Sequence, residues 1–150
     1  MKTIVADRKG VDKVREGRHR FEDVLRTATV LVLILPRTPE SLNLISTREL
    51  EMMQRHAVLI NVARGGIVDE SALVQALQRK QIAGAAFDIF FKEPAGPSNS
   101  VLATEETKDL NLLLTPHLAW AAETTIKDMI SITKANVEAW YTGKPINVVC

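Results

Sequence analysis

The fold class this sequence predicts is an α/β domain built on a doubly wound, mostly parallel sheet with a long C-terminal helix. Three observations predict it. Short aliphatic runs recur along the chain, stretches of helical period lie between them, and polar residues collect just after the runs end. Several runs are apolar at every position, the pattern of strands buried under helices on both faces of a parallel sheet. At 150 residues with 46% hydrophobic and 25% charged, the chain holds one domain's worth of core. A formal net charge of +1 provides no global field for nucleic acid or an anionic membrane. No apolar run reaches a membrane span, the opening residues lack a signal-peptide layout, and the single Cys150 permits no internal disulfide. A cytoplasmic location is therefore expected.

Five strands are expected, at 3–6 (TIVA), 30–35 (VLVLIL), 57–63 (AVLINVA), 84–89 (GAAFDI) and 110–114 (LNLLL). Residues 21–28 read as a short helix, and Thr38 followed by Pro39 reads as the cap and first position of another. Ser46 and Glu49 have capping-box spacing, opening a helix that carries Leu50, Met52 and Met53. Asp69 is placed to cap a helix whose Ala72, Leu73, Ala76 and Leu77 recur at one-turn spacing. The last helix, about 121–142, aligns Ile126, Met129, Ile130, Thr133, Val137 and Trp140 on one stripe, and Gly143-Lys144-Pro145 ends it. Residues 91–109, rich in Pro, Gly, Ser and Thr, are expected to be irregular, and no internal repeat is present.

Ligands in open α/β sheets bind beyond the carboxyl ends of the strands. The polar residues expected there are Asp7, Pro36 and Thr38, Arg64, Asp88 and Glu93, and His117, which are predicted to gather near one rim. Arg64 ends an otherwise apolar strand and precedes two glycines; its planar guanidinium suits a carboxylate, although a solvated surface arginine has the same sequence. His117 reads equally as a loop histidine bonded to a backbone carbonyl, Glu93 as a solvated charge, and Asp88 as an acceptor for turn amides. Together, a carboxylate, an arginine and a histidine at one rim suit proton-coupled chemistry on a small acid.

The ordered segments NVARGGIVDESAL, AFDIFFKEP and LLLTPHLAWA, preceded by LPRTPESLNLIS, resemble the D-isomer-specific 2-hydroxyacid dehydrogenases over nearly the whole chain. Within them, VADRKG, TPHLAW and the ending GKP are similar to the glycerate dehydrogenase, hydroxypyruvate reductase and glyoxylate reductase branch. The resemblance implies a Rossmann-type nucleotide domain, NAD or NADP as cofactor, a small 2-oxoacid or 2-hydroxyacid as substrate and a homo-oligomeric full-length enzyme; no metal is expected. It implies that Arg64 holds the substrate carboxylate, that His117 is the catalytic histidine and that Glu93 is its paired acid. A neighbouring carboxylate favours imidazolium, keeping a proton available for the carbonyl oxygen as hydride arrives. The implied cofactor contacts are Asp7 and Arg8 at the adenosine ribose, Asp88 at the nicotinamide carboxamide, and Pro36, Thr38, Val62, Ala63, Arg64 and His117 along the rim.

The sequence departs from that pattern in one respect. No G-x-G-x-x-G turn with its flanking strand and helix is present to receive a pyrophosphate, so the chain reads as the later part of a nucleotide domain, 1–150, with helix and tail from 121. Weak cofactor binding and little activity by the isolated chain are expected. Without its central neighbour, the run at 3–6 is expected to dangle, to pair beside 30–35, or to pair with another chain, and an unpartnered final stripe is expected to promote self-association. A non-catalytic, corepressor-like interaction domain is the alternative reading. In the basic cluster Arg8, Lys9, Lys13, Arg15, Arg18 and Arg20, the first two favour a 2′-phosphate while Asp7 opposes it, and the balance leans to NAD. Cys150, Trp120 and Tyr141 suggest no chemistry.

Overall fold

The computed structural model describes residues 1–149, so Cys150 lies outside the described residues. Two compact units divide the chain, at Met1–Pro116 and from His117 onward.

The first unit is a four-stranded sheet of β1 (Val30–Leu33), β2 (Val58–Asn61), β3 (Gly84–Phe87) and β4 (Leu112–Leu114), in that order and parallel throughout. These are four of the five expected strands, each shorter than expected. Around them run α1 (Phe21–Thr27), α2 (Thr47–Met52) and α3 (Glu70–Gln78). Right-handed crossovers that step repeatedly in one direction leave their helices on one face of a sheet. The core follows from that placement: Leu31, Leu33, Leu59, Ala85 and Phe87 of the strands are buried with Leu25, Leu50, Leu73 and Leu77 of the helices.

Two expectations are corrected here. Residues 3–6 form no strand; Ala6 makes one isolated parallel bridge to His19, with His19 N–H donating to Val5 O at 2.9 Å and Asp7 N–H to His19 O at 2.8 Å. A β-prone run becomes a strand only where a neighbour offers a ladder, and the loop at 17–20 offers one rung. Nor is the sheet covered on both faces within this unit. Val30 and Val32 remain 43% and 44% exposed, Ile34 81% and Leu113 64%, so the continuous apolar runs overstate burial.

Capping chemistry behaves as the residue types dictate. Ser46 and Glu49 close a capping box on α2, and Asp69 Oδ1 accepts the Ala72 N–H at 3.0 Å to start α3. Thr38 also caps, but Pro39–Ser41 is a single 3-10 turn rather than a longer helix. The irregular stretch before β4 contains two more such turns, Val101–Ala103 and Glu105–Thr107.

The second unit is α4 (Glu123–Tyr141), none of whose residues is buried. Its end is set by Gly143 at φ 72°: the Gly143 N–H donates to Trp140 O at 3.0 Å and the Lys144 N–H to Ala139 O at 2.9 Å, a Schellman motif. Among the described residues, no helix is long and apolar enough to cross a membrane.

Candidate active site

Arg64 is presented by a turn that a buried amide shapes. Asn61, the last residue of β2, is 1% exposed; its Oδ1 accepts the Ala63 N–H and its Nδ2 donates to Arg64 O, both at 3.2 Å. Arg64 itself is exposed, with Nη1 donating to Ala63 O at 2.7 Å. Asn61 escaped the sequence reading, although a lone amide within VLINVA was the available signal.

The two glycines behind Arg64 permit a close approach of backbones. A Cβ on Gly65 would lie 1.8 Å from the Phe90 carbonyl oxygen, and Gly66, at φ 81°, faces the Phe91 ring. The Arg64 turn is thereby locked against the segment following β3, which carries Asp88 and Glu93. Glu70, at the first position of α3, tightens the same junction: its Oε1 accepts the Phe91 N–H at 2.8 Å and its Oε2 accepts the Ser100 hydroxyl at 2.9 Å. In sequence it looks like an ordinary first-turn acid, and only the fold shows it tethering a loop. The loop after β1 reaches the same place, since the Arg37 guanidinium lies over the Phe91 ring at 5.0 Å. Pro36 and Thr38 flank that arginine, with Pro36 O accepting the Ser41 hydroxyl at 2.9 Å.

Asp88 follows β3 directly and is 4% exposed. Its N–H donates to Asn61 O at 3.1 Å and its Oδ1 accepts the Thr115 hydroxyl at 2.5 Å, which ties the ends of β2, β3 and β4 together. Glu93 Oε1 accepts the Phe90 N–H at 3.0 Å. The structure therefore brings Arg64, Asp88, Glu93 and the Pro36–Thr38 loop to one end of the sheet, with Val62 exposed and Ala63 buried beside Arg64.

His117 belongs to the second unit. Its φ is 57°, a left-handed value that histidine tolerates better than most residues, and its carbonyl accepts the Trp120 indole N–H at 2.8 Å. Trp120 thus has a structural role that the sequence did not suggest.

Asp7 is engaged elsewhere. Its carboxylate accepts the Arg15 side chain and the Arg8 and Arg15 N–H groups, and these contacts, led by the Arg15 guanidinium, hold its carboxyl well below the usual carboxylate range. Next to it, Lys9 Nζ reaches buried Glu49 at 2.9 Å. Burial alone would raise the Glu49 carboxyl, but the Lys9 ammonium and the Ser46 N–H outweigh it and the net direction is down.

A parallel α/β sheet whose strand ends collect an arginine, a buried aspartate and a proline-flanked loop is a nucleotide-binding class of domain. Residues 1–119 match the D-isomer specific 2-hydroxyacid dehydrogenase, NAD binding domain, and the chain belongs to that family. It is 42% identical over 135 residues to the glycerate dehydrogenase of Methylorubrum extorquens, covering 90% of this chain and 42% of that protein. The NADPH-dependent glyoxylate/hydroxypyruvate reductase of Sinorhizobium meliloti superposes with a TM-score of 0.79 at 31% identity, over 98% of this chain and 45% of that one. The NAD complex of the Lactobacillus delbrueckii ssp. bulgaricus D-isomer specific 2-hydroxyacid dehydrogenase gives 0.76 at 34%, over 88% and 43%. The chain thus spans under half the length of these relatives.

Proposed function

We propose that this domain serves a nicotinamide-dependent reductase of hydroxypyruvate or glyoxylate, working in the cytoplasm as a homo-oligomer. The observation that carries the reading is the Arg64 turn, shaped by Asn61 and locked through Gly65 onto the segment bearing Asp88 and Glu93. A turn whose backbone is fixed at a strand end by a buried amide, on the same rim as a buried carboxylate, presents its arginine in a more organised way than a solvated loop does. Relatives named for glycerate and glyoxylate support the substrate class.

The dinucleotide suits this rim. Asp88 is a buried carboxylate fixed at the end of β3 by Thr115, an acceptor fit for a carboxamide N–H, and Pro36, Thr38, Val62 and Ala63 would line the cofactor's path. When bound, the cofactor supplies the hydride. The chain's own residues do the rest: Arg64 holds the substrate carboxylate through its two-pronged guanidinium and orients the adjacent carbonyl. His117 gives its proton to the carbonyl oxygen in reduction and removes the hydroxyl proton in oxidation. By the family resemblance, Glu93 takes the role of the acid in this chemistry.

In a full-length dehydrogenase carrying this domain, His117→Ala is expected to slow turnover by about 10²-fold or more with little change in cofactor affinity, the scale of general acid catalysis. Arg64→Lys keeps the charge but loses the planar fork, so KM for the oxoacid rises along with the loss in kcat. Steady-state kinetics in both directions test this, and wild-type turnover by His117→Ala would remove the proton-transfer assignment.

A further inference from the structure

Arg64, read above as the residue that holds the substrate carboxylate, can aim its guanidinium only as well as its turn is held, and the inference rests on that reading. The turn is seated by backbone contact, with Gly65 against the Phe90 carbonyl and Gly66 facing the Phe91 ring. Phe91 is half exposed, so burial does little to keep that segment in place. Glu70 fastens it instead. Its Oε1 accepts the Phe91 N–H at 2.8 Å and its Oε2 accepts the Ser100 hydroxyl at 2.9 Å, so one carboxylate closes the whole excursion from residue 91 to residue 100. Both attachments are firm. Ser100 is buried and its oxygen accepts the Leu102 N–H at 3.2 Å, while within the excursion the Asn99 side chain bonds Pro94 O at 3.0 Å and the Gly96 N–H at 2.8 Å. Glu70 is not needed to start α3, because Asp69 already accepts the Ala72 N–H there and a first-turn acid adds only a weak interaction with the helix dipole.

We propose that Glu70 is a positioning residue for substrate binding: by fastening Phe91 and Ser100 to the start of α3, it clamps the 90–91 segment onto Gly65 and limits the directions in which Arg64 presents its guanidinium. The grip acts at both ends of one short stretch. Gly65, next to Arg64, meets Phe90, and Glu70, at the far end, holds Phe91. Without the carboxylate the 90–91 segment is free to lift from the glycines, and the oxoacid must then order the turn as it binds. The loss falls on the oxoacid. Glu70→Ala removes both bonds, whereas Glu70→Gln keeps an acceptor for the Phe91 N–H and lets its amide donate to the Ser100 oxygen. Glutamine loses the charge as fully as alanine does, so the difference between the two variants isolates the tether from the helix dipole.

Two measurements test this, one of motion and one of function. In the 150-residue chain, amide exchange followed by NMR should be about tenfold faster in Glu70→Ala at Phe91 and at Ala63, whose N–H reports the Arg64 turn through its bond to Asn61 Oδ1. Leu59 in β2 should be unmoved, and Glu70→Gln should restore most of the protection. In a full-length dehydrogenase carrying this domain, Glu70→Ala should raise KM for the oxoacid by about fivefold or more, leave KM for the cofactor unchanged, and add little in an Arg64→Lys background. Ser100→Ala, which drops one of the two bonds, should move both readouts the same way by less, and it serves if Glu70→Ala does not fold. Faster exchange at Phe91 with Ala63 unmoved, an equal rise at Leu59, or a KM effect additive with Arg64→Lys would overturn the proposal. A wild-type oxoacid KM in Glu70→Ala beside a raised one in Arg64→Lys would overturn it alone, leaving the substrate reading of Arg64 intact. If Arg64→Lys itself left that KM at the wild-type value, the reading would fail and the proposal with it.

Discussion

Helix α3 is nine residues long and buries Ala72, Leu73, Ala76 and Leu77, whereas α4, at nineteen residues, buries none. Both carry apolar residues at helical spacing. The difference lies in what brackets them. α3 joins β2 to β3, two strands paired in register, so its crossover must lie over the sheet and its stripe meets Leu59 and Phe87 in one core. α4 follows β4, and among the described residues no later strand returns the chain to the sheet. Periodicity marks a face that could be buried; only topology supplies the surface that buries it.

The glycines around the two helices repeat the contrast. Gly65, before α3, has the Phe90 carbonyl within 1.8 Å of where a Cβ would sit, while Gly143, after α4, has nothing within 4 Å. Gly65→Ala should therefore be the most damaging change, costing about 3 kcal/mol or more because backbone rather than a pliable side chain must move. Gly143→Ala meets only the left-handed backbone penalty of about 1–2 kcal/mol, borne by α4 alone. Urea melts that rank the two substitutions equally would break the comparison.

Core truncation sharpens it at the next level. Leu73→Ala removes a wholly buried side chain and should cost about 2–5 kcal/mol. Ile130→Ala, from a residue 64% exposed, should change stability by no more than about 0.5 kcal/mol and should reduce any self-association measured by sedimentation.

The smallest expected effect is pH-dependent and belongs to the first unit. The folded carboxyl of Asp7 is depressed by Arg15, so its contribution to stability is complete above the unfolded value near pH 4 and is lost progressively as pH falls below it. Asp7→Asn should melt below the wild type at neutral pH, and the gap should close on acidification. A gap that widened towards low pH would reverse the sign of the argument.

Much of the candidate site was legible before any coordinates. Caps at Ser46 and Asp69, the four strand cores, and the positions of Arg64, Asp88 and Glu93 at strand ends follow from residue type, because caps, β-branched runs and strand-to-turn boundaries are local events. The resemblance carried by the ordered motifs pointed to the same family that residues 1–119 match. The roles of Asn61 and Glu70 were not legible, since each bonds a backbone group whose position depends on a distant segment.

What the sequence determined by itself is therefore the set of elements and the chemistry at their ends: short-range hydrogen bonds and side-chain periods need only neighbouring residues. What the tertiary structure decided is which of those elements found a partner. Residues 3–6 have strand composition but receive one bridge from His19; Val32 and Ile34 have core composition but face outward; Asp7 has the chemistry of a ribose ligand but lies under Arg15. In each case the deciding contact comes from a different part of the chain, and burial and charge compensation are properties of that meeting rather than of either residue.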